Sequence, residues 1–172
     1  DIANIGIASP GIANPVNGCV EYANNLPFSH FPIVKYFQKY LPIPKVFVEN
    51  DANAAALGEA LAGAAKGAKH AVMITLGTGV GGGAIIDGKM LLGNGGAGAE
   101  FGHVTIVTDG EECTCGKRGC LEAYASATAL IRNTKRAMEA NPDSLMWKIA
   151  PTLNEVNGIT AFAARNQGDA AA

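Results

Sequence analysis

Apolar and polar positions along this chain change period several times, and each change marks an element. The Ile2–Ala8 run, closed by Ser9-Pro10-Gly11, predicts a buried strand ending in a turn. Asn14-Pro15-Val16-Asn17-Gly18 predicts a second turn, and Asn24 to His30 a polar loop. Apolar residues at Phe31, Val34, Phe37 and Leu41 form a helical stripe over Phe31 to Tyr40, with Pro32 near its start and Pro42 and Pro44 ending it. Lys45 to Glu49 predicts a short strand, and the Ala- and Leu-rich Ala52–Lys66 a helix whose small residues suit close packing on another backbone. His70–Leu76 predicts a strand, Gly77–Gly83 a glycine loop, and Gly83–Ile86 with Lys89–Leu92 a hairpin around Asp87-Gly88. Glu122–Asn141 reads as one long helix, with shorter ones over Leu145–Ala150 and Ile159–Gln167. Strands and helices alternate, then give way to helices, so the expected fold class is α/β.

Composition narrows the function classes. At 172 residues, 48% hydrophobic and 16% charged, the chain is long enough for a real core in one domain or parts of two, and carries no sign of disorder. A net charge of -2 gives no electrostatic reason to expect a nucleic-acid or membrane surface. The most apolar stretch, Ala71 to Ile86, is too short and too interrupted by glycine to span a bilayer. No leader-like segment opens the chain, and the expected compartment is the cytoplasm. The chain is expected to be part of a longer protein.

Three segments carry candidate chemistry. His103, Cys113, Cys115 and Cys120 have the residue types and spacing of a zinc site, with Gly116 and Gly119 bracketing the turn; the alternative is three ordinary reduced thiols. Cys19, outside the cluster, reads as a small buried hydrophobe. Gly77-Thr78-Gly79-Val80-Gly81-Gly82-Gly83 follows a strand and could expose N–H groups to a phosphate, or could be a turn at a crowded hairpin. It is neither a Walker loop nor a Rossmann fingerprint, because no Lys-Ser/Thr and no strand-to-helix crossover follow. In Glu49-Asn50-Asp51-Ala52-Asn53, Asn50 or Asp51 could cap the next helix, or Asp51 could take a proton from a substrate hydroxyl at a strand's C-terminal edge.

Together these segments resemble the ROK family of sugar kinases and related repressors. The resemblance rests on Ser9-Pro10-Gly11, Glu49-Asn50-Asp51-Ala52-Asn53-Ala54-Ala55, Leu76 to Gly83, Glu100-Phe101-Gly102-His103, and Cys113-x-Cys115-Gly-x-x-Gly119-Cys120-Leu121-Glu122, in order over nearly the whole chain. Ala161 to Asp169 resembles a helix that precedes the family's adenosine-contacting segment. The resemblance implies an actin-like, ribonuclease-H-like ATPase fold with two lobes, residues 1–63 in the smaller and 64–172 in the larger. It implies transfer of a phosphoryl group from ATP, with Mg2+ on the phosphates, to a hexose hydroxyl, with glucose at O6 the first expectation. Asp51 would be the catalytic base; Asn50, Glu100, His103 and Glu122 would bind the sugar, with further contacts from Gly11 and Asn25. Gly77, Thr78 and Gly79 would lie near the ATP phosphates, and His103, Cys113, Cys115 and Cys120 would hold a structural Zn2+. The family's N-terminal Asp-x-Gly-Gly-Thr motif and its adenosine segment have no counterpart here, so the isolated chain is expected to turn over little. A homodimer without nucleic acid is expected for the kinase. The alternatives are the sugar-sensing domain of a ROK repressor and a zinc-stabilised binding fragment without activity.

Overall fold

The computed structural model describes residues 2–23, 26–43 and 45–172; Asn25, expected near the sugar, and Asn24 and Pro44 fall outside them. The expected α/β class holds, and the chain divides into two compact units.

The first unit comprises Asp1–Thr75 and Gly81–Phe101. Its β1 (Asn4–Ser9) and β5 (Lys45–Asn50) pair in parallel, in register from Asn4↔Lys45 to Ser9↔Asn50. The expected burial of β1 is only partial: exposed and half-buried residues alternate along it, and only Ser9 at its end is buried. Between them, β2 (Ile12–Asn14), β3 (Cys19–Tyr22) and β4 (Ser29–Phe31) form an antiparallel sheet in order β2-β3-β4, with the expected Asn14–Gly18 turn joining the first two. These strands were not legible in the pattern, and β4 takes up the end of the segment expected to be loop. Cys19 is half-buried rather than buried, its Sγ 3.8 Å from the Asn17 carbonyl at the turn. Helix α1 (Ile33–Tyr40) turns Ile33, Val34 and Phe37 onto a core of Ala13, Val20, Ala23 and Val48, with Phe28 and Phe31 stacked 4.6 Å apart beside it.

Helix α2 (Asp51–Ala62) ends earlier than the expected Lys66, at Gly63. The three-stranded sheet β6 (Ala71–Leu76), β7 (Val80–Ile86) and β8 (Lys89–Met90) follows. Its β7–β8 hairpin turns through Asp87 and Gly88, both at positive φ (50° and 73°), as a tight two-residue turn demands. Only Gly77–Gly79 is loop: Gly81 to Gly83 are strand residues, and crowding explains them. A Cβ on Gly81 would sit 3.0 Å from Ala52 Cβ, and one on Gly83 2.6 Å from Ala56 Cβ. Ala52 and Ala56 are one helical turn apart and present one face, so α2 lies directly on bare strand backbone.

The second unit comprises Leu76–Val80 and Gly102–Ala172. The expected single helix from Glu122 is two, α3 (Glu122–Ala125) and α4 (Ala127–Ala140), broken at Ser126. Ser126 is extended (ψ 161°) and its hydroxyl accepts the Ala129 N–H, capping α4. Helices α4, α5 (Met146–Ile149) and α6 (Thr160–Arg165) enclose Met138, Met146, Ala150, Val156 and Ala164, and the Trp147 indole donates to the Met138 carbonyl at 3.0 Å. No helix among the described residues is long and apolar enough to cross a membrane.

Candidate active site and metal centre

In the first unit the chemistry gathers where β5 becomes α2. Asn50 is the residue that caps the helix: its Oδ1 accepts the Ala52 and Asn53 N–H groups at 2.9 and 3.0 Å. Its Nδ2 donates to the Gly11 carbonyl at 2.9 Å. Gly11 has φ +85°, and a Cβ there would collide with the Tyr22 carbonyl, so glycine alone fits this anchor. Gly11 therefore touches the site through its carbonyl, by holding Asn50. Asp51, the first residue of α2, stays exposed, with Oδ1 2.9 Å from the Ala52 nitrogen. The helix N-terminus favours its negative charge. Sequence reasoning gave Glu49 and Asn53 no role, yet Glu49 Oε1 accepts the Asn50 N–H at 2.9 Å and the Asn53 side-chain amide at 3.1 Å. Buried Asn53 thereby braces the strand-to-helix junction from below. Glu100 is exposed, immediately before a 3-10 turn over Phe101–His103.

In the second unit the four expected metal ligands converge. Their donor atoms all lie within 4.8 Å of one another, with Cys113 Sγ 3.5 Å from His103 Nδ1 and Cys115 Sγ 3.7 Å from Cys120 Sγ. Zinc bonds of about 2.3 Å to sulfur and about 2.0 Å to nitrogen make tetrahedron edges of roughly 3.5–3.8 Å, so the cluster fits a zinc ion. Local backbone explains the convergence. Cys113 N–H donates to the Lys117 carbonyl and Gly116 N–H to the Cys113 carbonyl, closing the Cys-x-Cys turn. A bridge between Thr105 and Cys120 then returns the chain past His103. Lys117 Nζ donates to the His103 carbonyl at 2.8 Å, bringing a positive charge beside the thiols. Burial, and after it the neighbouring Cys113 and Cys115, push the Cys120 thiol up to about 12. Held as thiolates at this spacing, the three sulfurs would need a cation among them.

Glu122 sits just past the last ligand, half-buried, and reaches in two directions. Its Oε2 accepts the Val80 N–H at 2.9 Å and its Oε1 the Thr114 hydroxyl at 3.2 Å. Gly79 passes so close that a Cβ on it would collide with Glu122 Oε2. The rest of the glycine loop is tied to α4, with Ala127 N–H donating to the Gly77 carbonyl and the Thr128 hydroxyl to the Thr78 carbonyl, both at 2.8 Å. Among the described residues no group accepts the Thr78 and Gly79 N–H donors, which leaves them to a ligand or to solvent. Thr78 itself is exposed.

A glucokinase of Thermotoga maritima is 44% identical over 166 residues, which is 96% of this chain and 52% of that protein. A xylose repressor of Caldicellulosiruptor bescii is 38% identical over 138 residues, 80% of this chain and 34% of that one. Among solved structures, a ROK family glucokinase from Streptomyces griseus in complex with glucose and AMPPNP superposes with a TM-score of 0.86 at 38% identity, covering 99% of this chain and 55% of that one. The chain thus spans about half the length of the kinases it matches, and its fold is the actin-like ATPase fold of the ROK sugar kinases. The ROK family model itself matches residues 1–172, from end to end. The chain belongs to the ROK family.

Proposed function

We propose that the complete protein is an ATP-dependent hexose kinase of glucokinase type, acting on the 6-hydroxyl of glucose. The observation that carries this reading is Asp51: an exposed carboxylate, fixed at the end of β5 by a cap that Asn50 supplies in its stead. Asp51 accepts the hydroxyl proton as the sugar oxygen bonds to the γ-phosphorus and the bond to ADP breaks. Asn50, Glu100, His103 and Glu122 hydrogen-bond the sugar, with Gly11 and Asn25 adding contacts. His103 faces the cysteines through Nδ1, so its Nε2 keeps a proton and donates to a sugar oxygen. Gly77, Thr78 and Gly79 lie along the ATP phosphates; Mg2+ accompanies the nucleotide, and no residue of this chain is assigned to it. Zn2+, held by His103, Cys113, Cys115 and Cys120, has no open position for substrate and is structural. Residues 1–63 belong to the smaller lobe of the complete protein and 64–172 to the larger, in a cytoplasmic homodimer.

Phosphorylation of a hexose panel by the complete protein tests the reading. Glucose should be preferred over mannose, fructose, N-acetylglucosamine and N-acetylmannosamine, and Asp51→Asn should lower kcat by about 10²–10⁴-fold with sugar affinity retained. Full turnover by Asp51→Asn would remove Asp51 from the reaction. This chain by itself should release little ADP, and robust glucose-dependent ADP release would overturn that. The similarity to a xylose repressor supports a second reading, sugar sensing; a winged helix upstream and no phosphorylated product would favour it.

A further inference from the structure

Glu122 joins two segments of the second unit that lie far apart in sequence. One oxygen holds the Val80 N–H, where the Gly77–Gly79 loop enters β7; the other takes the hydroxyl of Thr114, between the two cysteines of the Cys-x-Cys turn. Cys113 Sγ also lies 3.9 Å from that second oxygen. A metal-bound cysteine is a thiolate with no proton to give, so with zinc in place Thr114 is the donor to Glu122 from this turn. A hydroxyl-to-carboxylate bond fixes the carboxylate's rotation, and the rotation aims the other oxygen at Val80.

We propose that Thr114 is a positioning residue that couples zinc occupancy, through Glu122, to the order of the Gly77–Val80 loop. The proposal rests on the metal and phosphate-loop roles given above. With zinc bound, the Cys-x-Cys turn is fixed, Thr114 holds Glu122, and Glu122 protects the Val80 amide. When zinc leaves, the turn loosens, Glu122 rotates, and the loop frees its amide. In the complete kinase the same chain of contacts makes the KM for ATP, as well as that for the sugar, depend on the metal.

Amide hydrogen exchange on the full chain, resolved at Val80, tests this without any turnover. Compared are the zinc-loaded chain, the chelated chain, and zinc-loaded Thr114→Val and Thr114→Ser. Exchange at Val80 should rise about tenfold on chelation and in Thr114→Val, the loss of one hydrogen bond to a charged group, and return to the original rate in Thr114→Ser. Zinc should stay at one per chain in both variants. Unchanged Val80 exchange in zinc-loaded Thr114→Val overturns the proposal and leaves the metal site standing; a chain that takes up no zinc overturns both. If Thr114→Val fails to fold, the chelated original chain decides: no change at Val80 overturns the coupling.

Discussion

Asn50 has four hydrogen-bonding positions on its amide, and the fold uses three: both oxygen lone pairs on Ala52 and Asn53, and one hydrogen on Gly11. One N–H remains beyond those three bonds. Asn50→Ala should therefore cost about 1–2 kcal/mol of stability through the lost cap, read from urea unfolding. Asp51→Asn should unfold close to the original midpoint, because Asn50 and not Asp51 supplies the cap. If the two variants were equally destabilised, this division of labour would be wrong. The sequence motif pointed to both residues but could not say which one capped, since Asn and Asp are equally good caps by type. The tertiary bond to Gly11, thirty-nine positions away, decides it. The convergence of His103 with Cys113, Cys115 and Cys120 was legible for the opposite reason: three cysteines and a histidine have few other uses at that spacing.

Among the elements, long periodic segments were readable and short ones were not. Helix α1 announced itself by its stripe, whereas β2 and β4, three residues each, hold too few positions for any period. The break at Ser126 was hidden because apolar and small residues continue on both sides of it. Ser126→Ala should cost about 1 kcal/mol, measured by thermal or urea unfolding, since the Ala129 N–H loses its acceptor. The contact of α2 with β7 makes a sharper demand. Gly83→Val drives side-chain atoms into Ala56 and should cost about 1–3 kcal/mol, partly restored by adding Ala56→Gly. Equal additive losses in that double-mutant cycle would mean the two positions do not touch. Because Asp51 opens the same helix, the bare face of β7 also sets where its carboxylate stands.

For the whole molecule, acid should weaken the helical part of the second unit through Asp169. Buried Asp169 accepts the Ser144 hydroxyl at 2.6 Å and the Ala171 N–H at 2.8 Å, and these, the hydroxyl foremost, hold its carboxyl below the ordinary aspartate range. Its contribution is present above that ordinary range and disappears as pH falls through the lower folded value. Asp169→Asn should flatten the acid-side loss of stability, measured by urea midpoints at stepped pH; an unchanged slope would exclude Asp169 as its source. The metal centre governs a different vulnerability. Cys115 is exposed and its sulfur stands 3.7 Å from that of Cys120. A zinc ion on both sulfurs would shield them from oxidants. Once the metal is gone, a mild oxidant such as peroxide can take two hydrogens from the pair and join them as a disulfide, shutting the site to zinc until a reductant reopens it. Starvation for zinc would then become oxidative inactivation, and the stored protein's lifetime would be set by its redox surroundings.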